Sequence, residues 1–234
     1  MIIEHCLICH TEISSQLSWA TIFSKENQAQ ICAVCQANFS KIEGETCRTC
    51  DRPLTNLNPK FKVQDQCLDC VRWEKETEWA GVLEKNHSLF TYNDFAQEVI
   101  SRFKFRGDYV LAHAFAPLIK NKLQSLTFDT IVPVPLSKER LYERGFNQSE
   151  ALIRVCGLEP AHLLTRTHTE KQSKKSRSER IHLPQVFQVQ GEVTAKNILL
   201  IDDIYTTGST LRHAAKQLKE ASAKTVSSLT LARG

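Results

Sequence analysis

Hydrophobic patterning changes along the chain at about Trp79. Beyond it, short apolar runs alternate with stretches of helical periodicity. LFTY (89–92) predicts a strand, and Asp94 is placed to cap a helix with Val99, Ile100 and Phe103 on one face. Gly107 interrupts that pattern, and Val110, Leu111, Ala114, Phe115, Leu118 and Ile119 mark a second amphipathic helix. TIVPV (130–134), ended by Pro135, suits a buried parallel strand. A helix over about 147–156 follows, and HLLTR (162–166) predicts a further strand. NILLI (197–201) is the clearest strand. Leu211, Ala214, Ala215 and Leu218 define the helix after it, and TVSSLTLA returns as a strand. This alternation predicts an α/β domain over 79–234 with a parallel sheet, which binds ligands at the carboxyl ends of its strands.

The first third has too little apolar sequence for a core of its own, but it holds eight of the nine cysteines as four CxxC pairs. A CxxC turn offers two thiolates from one knuckle, and two knuckles complete a tetrahedral zinc shell. Pairing in order joins Cys6 and Cys9 to Cys32 and Cys35 across 22 residues, and Cys47 and Cys50 to Cys67 and Cys70 across 16. The second spacing is usual for a four-cysteine site and the first slightly longer; spacing also admits an interleaved pairing. The expectation is two structural Zn2+ ribbons, over 1–43 and 44–78, each closed by four sulfurs and so a scaffold rather than a catalyst. Metal binding worth on the order of 10 kcal/mol per site would then supply their folding energy. Disulfide staples or a redox motif are the alternatives, but redox motifs come singly beside a βαβ pattern. His5 and His10 flank a knuckle and are expected to face solvent; Cys156, in ALIRVC, is expected to be a small buried hydrophobe.

Length and charge narrow the function. At 234 residues the chain has room for one full domain and a small appendage. No run reaches the ~18 apolar residues of a membrane span, so no membrane insertion is expected. The opening MIIEHCLICH lacks the basic region and apolar core of a secretory leader, which predicts a cytoplasmic, reducing location. Residues 1–76 carry 8 Lys/Arg against 10 Asp/Glu, and 77–234 carry 22 against 16. Phosphates should therefore meet the C-terminal domain. Within it, Arg166 to Arg180 (RTHTEKQSKKSRSER) holds six Lys/Arg against two Glu, a mobile lid or a solvated loop.

The most informative stretch is NILLIDDIYTTGSTL (197–211). Asp202 and Asp203 end a buried strand, and Thr206, Thr207, Gly208, Ser209 and Thr210 lead into a helix whose first turn has unpaired N–H groups and a positive dipole end. Gly208 permits close backbone approach and the hydroxyls can donate. Carboxylates beside a phosphate site make sense if they hold two ribose hydroxyls, or a Mg2+ shared with a diphosphate. The ligand suggested is a sugar with a 5-phosphate. A bare acidic turn is the plain alternative for a lone Asp-Asp pair. The magnesium strand of a P-loop ATPase is set aside because no GxxxxGK[ST] occurs.

ILLIDDIYTTGST resembles the phosphoribosyl-pyrophosphate signature of type I phosphoribosyltransferases. With the cysteine ribbons, VPVPLSKERLYERGFNQ (132–148) and FTYND…FKFRGDY (90–109), nearly the whole chain resembles the ComF/GntX family. The resemblance implies ribose hydroxyls on Asp202 and Asp203, the 5-phosphate among Thr206 to Thr210, and Mg2+ with phosphoribosyl pyrophosphate as ligand. It places the pyrophosphate loop at Pro135, Leu136, Ser137 and Lys138, with Arg140 and Arg144 close by. It also implies a role in DNA uptake and a partnership with the DNA-translocating ATPase of that machinery, for which the ribbons are an adaptor surface. Two activities follow. A working transferase would let a nitrogen nucleophile displace pyrophosphate, but no base pocket or general acid is legible. A single-stranded DNA binder needs cations and stacking aromatics, offered by RFKFRGDY (102–109), by Arg140 and Arg144, and by Lys174, Lys175, Arg177 and Arg180. Phe103 belongs to the apolar stripe, which leaves Phe105 as the freer aromatic.

Overall fold

The computed structural model describes residues 3–14, 30–166 and 186–234. Its strands are β1 (Ile3–His5), β2 (Glu12–Ser14), β3 (Lys62–Val63), β4 (Gln66–Cys67), β5 (Asn86–Thr91), β6 (Thr130–Pro133), β7 (Leu164–Arg166), β8 (Phe187–Val189), β9 (Asn197–Tyr205) and β10 (Thr225–Arg233). Its α-helices are α1 (Ala33–Asn38), α2 (Leu68–Lys75), α3 (Asp94–Phe105), α4 (Leu111–Leu123), α5 (Lys138–Arg144), α6 (Gln148–Arg154) and α7 (Ser209–Glu220).

The main sheet has the order β5-β10-β9-β6 among the described residues, with every pairing parallel. Parallel sheets are covered on both faces, and β9 and β10 accordingly bury side chains on both. Leu199 and Ile201 enter one hydrophobic layer with α3, α4 and α6, while Ile198 and Leu200 enter the opposite layer with α7. The strand predicted as NILLI runs on through both aspartates to Tyr205, because β10 pairs with it as far as Arg233. HLLTR contributes β7, which pairs antiparallel with β8 in a separate two-stranded sheet instead of joining the main sheet. Helix α3 begins at Asp94 itself, and its cap lies one residue before the expected one: Asn93 is the N-cap, its side chain accepting from the Ala96 N–H at 2.9 Å. Gly107 ends that helix region in the left-handed conformation, φ +66°.

The two cysteine units lie on opposite faces and share the domain's core. Cys6, Ile8, Cys35 and Phe39 join the α3–α4 layer, where Phe39 stacks on Phe90 at 4.4 Å. Cys47, Cys50, Cys67, Cys70, Trp73 and Trp79 join the α7 layer. Both units also cover the open edge of β5. Thr91 N–H donates to the Ser40 carbonyl (2.8 Å), Asn86 N–H to the Thr49 carbonyl (2.8 Å) and Ser88 N–H to Asp51 (3.2 Å). An edge that could otherwise pair with another chain is thereby closed. Among the described residues no helix is long and apolar enough to cross a membrane.

Candidate functional site

The end of β9 and the start of α7 form the floor of the site. Gly208 is the residue before α7 and sits at φ +81°, a conformation only glycine adopts without strain. A Cβ there would overlap the Tyr205 hydroxyl, so glycine is required for space as well. Tyr205 itself is buried, and with Asp202, Thr206, Thr207, Ser209 and Thr210 it lines a small cradle over the first turn of α7. Gly208 has no side chain to cap that turn, and Thr207 Oγ1 accepts from the Ser209 N–H only at a long 3.4 Å, so the remaining first-turn N–H groups and the helix dipole are available to an anion.

The two carboxylates are held from different elements. Asp203 is buried and pairs with Lys104 of the last turn of α3, Nζ to Oδ1 at 2.8 Å. Asp202 accepts from its neighbour's N–H at 2.9 Å and from Ser149 Oγ of α6 at 3.4 Å. Part of its surface stays open, yet it is deep enough among protein atoms that desolvation dominates. Burial first and the Asp203 charge second push its carboxyl up to about 7, against the opposing pull of hydrogen bonds and Lys104.

Facing these carboxylates is a group of guanidiniums. The chain leaves β6 beside β9, with Val134 N–H donating to the Ile201 carbonyl at 3.0 Å. It then passes through Pro135 and Leu136 to Ser137, which caps the short helix α5 by accepting from the Arg140 N–H at 3.4 Å. The expected loop Leu136–Lys138 is thus the lead-in and first residue of a helix that delivers Arg140 and Arg144. Burial lowers the Arg144 pKa, Arg140 lowers it further, and Asp203 and Asp202 raise it. Arg166, on β7, is lowered by burial and by Arg140 and Arg144 and is raised by Asp202. Arg144 and Arg166 therefore face the acidic pair, and Arg140 lies close enough to repel both. Asn147 ties the wall together, capping α6 and donating Nδ2 to the Val134 carbonyl at 3.1 Å.

The cysteines assemble in sequence order, which removes the interleaved pairing. Cys6, Cys9, Cys32 and Cys35 form one group and Cys47, Cys50, Cys67 and Cys70 another, the sulfurs of each lying within 4.8 Å of one another. Closest approaches of 3.7 Å, Cys9 to Cys32 and Cys50 to Cys67, match the ~3.8 Å sulfur separation of a tetrahedral Zn–S4 site. Backbone N–H groups support the sulfurs in both, from Cys32 to Cys6 and from Cys67 to Cys47, each at 3.3 Å. Four soft thiolate donors, with backbone N–H groups donating to their sulfurs, fit Zn2+. Cys156 is buried, and burial pushes its thiol up to about 11.

Sequence reasoning did not single out Lys104, Ser149 or Arg166 as parts of the acidic site. Lys104 lies inside FKFRGDY, directly after the buried Phe103 of the helical stripe, and that adjacency is the one local signal that it leaves the core towards the sheet. Lys174, Lys175, Arg177 and Arg180 lie outside the described residues.

Comparison with known proteins agrees with this arrangement. The phosphoribosyl transferase domain family matches residues 145–234, from the turn before α6 through the carboxylates and the α7 cradle to the last residue. Competence protein ComFC of Bacillus subtilis (strain 168) is 38% identical over 233 residues, covering 97% of this chain and 94% of that protein. ComFC of Streptococcus pneumoniae (strain ATCC BAA-255 / R6) is 36% identical over 230 residues, covering 97% and 99%. DNA utilization protein YhgH of Escherichia coli O157:H7 is 27% identical over 221 residues, covering 87% and 90%. The likeness to the two ComFC proteins spans nearly the whole chain. The chain therefore belongs to the ComF family, with two four-cysteine clusters set against a phosphoribosyltransferase-like α/β domain.

Proposed function

We propose that the chain acts in competence and DNA uptake as a cytoplasmic protein that binds phosphoribosyl pyrophosphate with Mg2+ at the end of β9. Single-stranded DNA would bind on the adjoining cationic surface, and the DNA-translocating ATPase of the uptake machinery would be a partner. The relatives' names, Competence protein ComFC and DNA utilization protein, support the process. The observation that carries the ligand is the gathering of Arg144 and Arg166 opposite Asp202 and Asp203, with Arg140 beside both arginines. Guanidiniums gathered at a partly buried wall need an anion between them, and two adjacent carboxylates at a strand end need hydroxyl donors or a cation. A phosphorylated sugar with a pyrophosphate and Mg2+ meets both needs.

Asp202 and Asp203 would take the ribose hydroxyls and the cation, with Lys104 yielding Asp203 to them. Thr206 to Thr210 would hold the 5-phosphate, and Leu136 to Lys138 with the arginines the pyrophosphate. When bound, Mg2+ neutralises the diphosphate charge. For DNA, Phe105 is 69% exposed with the Arg144 guanidinium 5.3 Å from its ring centre, and Tyr142 is 91% exposed on α5. Exposed rings among arginines suit stacked bases and a phosphate backbone. Phosphoribosyl pyrophosphate with Mg2+ should raise the melting temperature, and Asp202→Ala with Asp203→Ala should abolish the rise; no shift in the parent protein would refute the site. Affinity for a short oligonucleotide should fall steeply with salt, and again when Lys174, Lys175 and Arg177 become alanine. Oligonucleotide binding that ignores both changes would refute that surface.

Catalytic turnover is a second reading, favoured by a recess of about 450 Å3 beside Pro135 and Leu136, lined by Tyr109, Leu141 and Phe146. A recess of that size, with aromatic and aliphatic walls and Asn147, Glu150, Arg154 and His162 as its polar groups, would admit a base. Pyrophosphate release with any purine, pyrimidine or small amine acceptor would establish it.

A further inference from the structure

The second cysteine cluster reaches the cradle through one buried guanidinium. Arg233, near the end of β10, is 2% exposed and stands between the two. One edge of it, Nε and Nη2, donates to Cys50 Sγ, both at 3.3 Å. The third nitrogen, Nη1, donates to the Thr206 carbonyl at 3.0 Å and the Tyr205 carbonyl at 3.2 Å, and also to the Gly234 carbonyl. An independent link runs alongside. Trp73 lies on α2, the helix that carries the cluster ligand Cys70, and its Nε1 donates to the Thr207 carbonyl at 2.9 Å. Arg212 of α7, fully buried, lies 2.9 Å from Glu74 of the same helix α2.

Three consecutive carbonyls, those of Tyr205, Thr206 and Thr207, are thereby drawn back towards the cysteine cluster. A trans peptide is planar, with its N–H pointing opposite to its carbonyl. Holding these carbonyls on the cluster side turns the N–H groups of Thr206, Thr207 and Gly208 the other way, into the cradle. A four-thiolate shell around a divalent metal keeps a formal charge of −2, which matches the permanently charged guanidinium. Among the described residues, no hydrogen bond from the first cluster's knuckles reaches this loop.

We propose that Arg233 and Trp73 are positioning residues that make metal at Cys47, Cys50, Cys67 and Cys70 a support for the phosphate-binding peptides 205–208. The inference rests on reading that loop as the 5-phosphate site. It assigns the two clusters different duties, the second one being linked to ligand affinity.

The test uses the full chain, with zinc content measured first, and compares the parent with Arg233→Met, Arg233→Lys and Trp73→Phe. Without ligand, amide hydrogen exchange at 206–208 should speed up in Arg233→Met and in Trp73→Phe. Affinity for ribose 5-phosphate, used as a probe that keeps the 5-phosphate and lacks the pyrophosphate, should fall about tenfold in each, the scale of losing a hydrogen-bond partner behind a ligand-holding group. Arg233→Lys, which keeps charge but not the fork, should recover part of the loss. With Co2+ in place of Zn2+, ribose 5-phosphate should move the thiolate-to-cobalt absorption in the parent and not in Arg233→Met. A purely structural role would leave that band alone. Variants that retain their metal and show parental exchange and parental affinity would overturn the proposal. Should Arg233→Met not fold, Trp73→Phe decides by the same two readouts. If the parent ignores ribose 5-phosphate while its variants still lose loop protection, the phosphate reading fails and the positioning role stands.

Discussion

Asp202 is the residue where burial and function oppose each other. Its carboxyl, pushed up to about 7 by desolvation and by Asp203, holds a proton over much of the pH range in which an ordinary carboxylate is ionised. The groups facing it are Asp203, Lys104 and Ser149 within the site and Arg144 and Arg166 from the wall. A ribose hydroxyl or Mg2+ needs the ionised form, so binding must expel the proton below that value. Affinity for phosphoribosyl pyrophosphate with Mg2+ should therefore rise with pH by about tenfold per unit up to about 7, then level off. The ligand's own phosphate also titrates, near ~6, but does so identically with every variant. Calorimetric titration of the parent and Asp202→Asn separates the two. The variant should bind more weakly and lose the step near 7. A parent profile that parallels the variant's would show that Asp202 is ionised throughout or takes no part.

Helix α3 shows how an element fixes a site residue that no local pattern announces. Asn93 caps it, Ala96, Val99, Ile100 and Phe103 are buried in the layer beneath the sheet, and the next residue, Lys104, is carried to Asp203. Both partners are largely enclosed, their side chains 15% and 11% exposed. Lys104→Met would leave two adjacent carboxylates without their nearest cation, which should cost about 3 kcal/mol of unfolding free energy in urea. Adding Asp203→Asn should return most of that loss, because the uncompensated charge is gone; two independent, additive losses would disprove the coupling. This element also marks the limit of what the chain's pattern could reveal. The stripe Val99, Ile100, Phe103 and the run NILLI were legible because burial imposes a period. The acidic pair and its hydroxyl-rich turn were legible because they are contiguous. Helix α5 was not, since KERLYER buries no side chain and so has no apolar stripe. The strand character of Asp202–Tyr205 was masked by charges that belong to the site. Nor does a strand's period name its partner, which is why HLLTR could not be assigned to antiparallel pairing with β8. The gathering of Lys104, Arg144 and Arg166 depends on packing between distant elements, and Trp73 and Arg233 read locally as ordinary core and strand-end residues.

At the scale of the whole molecule, the cysteine third is continuous with the core and not an appendage to it. Its scarcity of apolar sequence is met by the cysteines themselves, six of the eight cluster sulfurs belonging to buried residues, and by layers borrowed from the domain. Phe39 stacks on Phe90 and meets Phe115 at 5.9 Å on one face; Trp73 and Trp79 meet at 5.2 Å over α7 on the other. Each cluster also closes part of the β5 edge. Loss of metal would therefore unpair that edge and open both hydrophobic layers together. Elemental analysis should find about two zinc ions per chain. Stripping them with a chelator under reducing conditions should lower the melting temperature of the entire protein by at least about 10 °C, since each site contributes several kcal/mol to a chain of this size. Calorimetry should record one transition, before and after stripping, because neither face of the sheet is complete without its cluster. Two resolved transitions, with the upper one unmoved by chelation, would mean that the α/β domain stands without its clusters. Arg233 could not then transmit the state of the second cluster to the cradle.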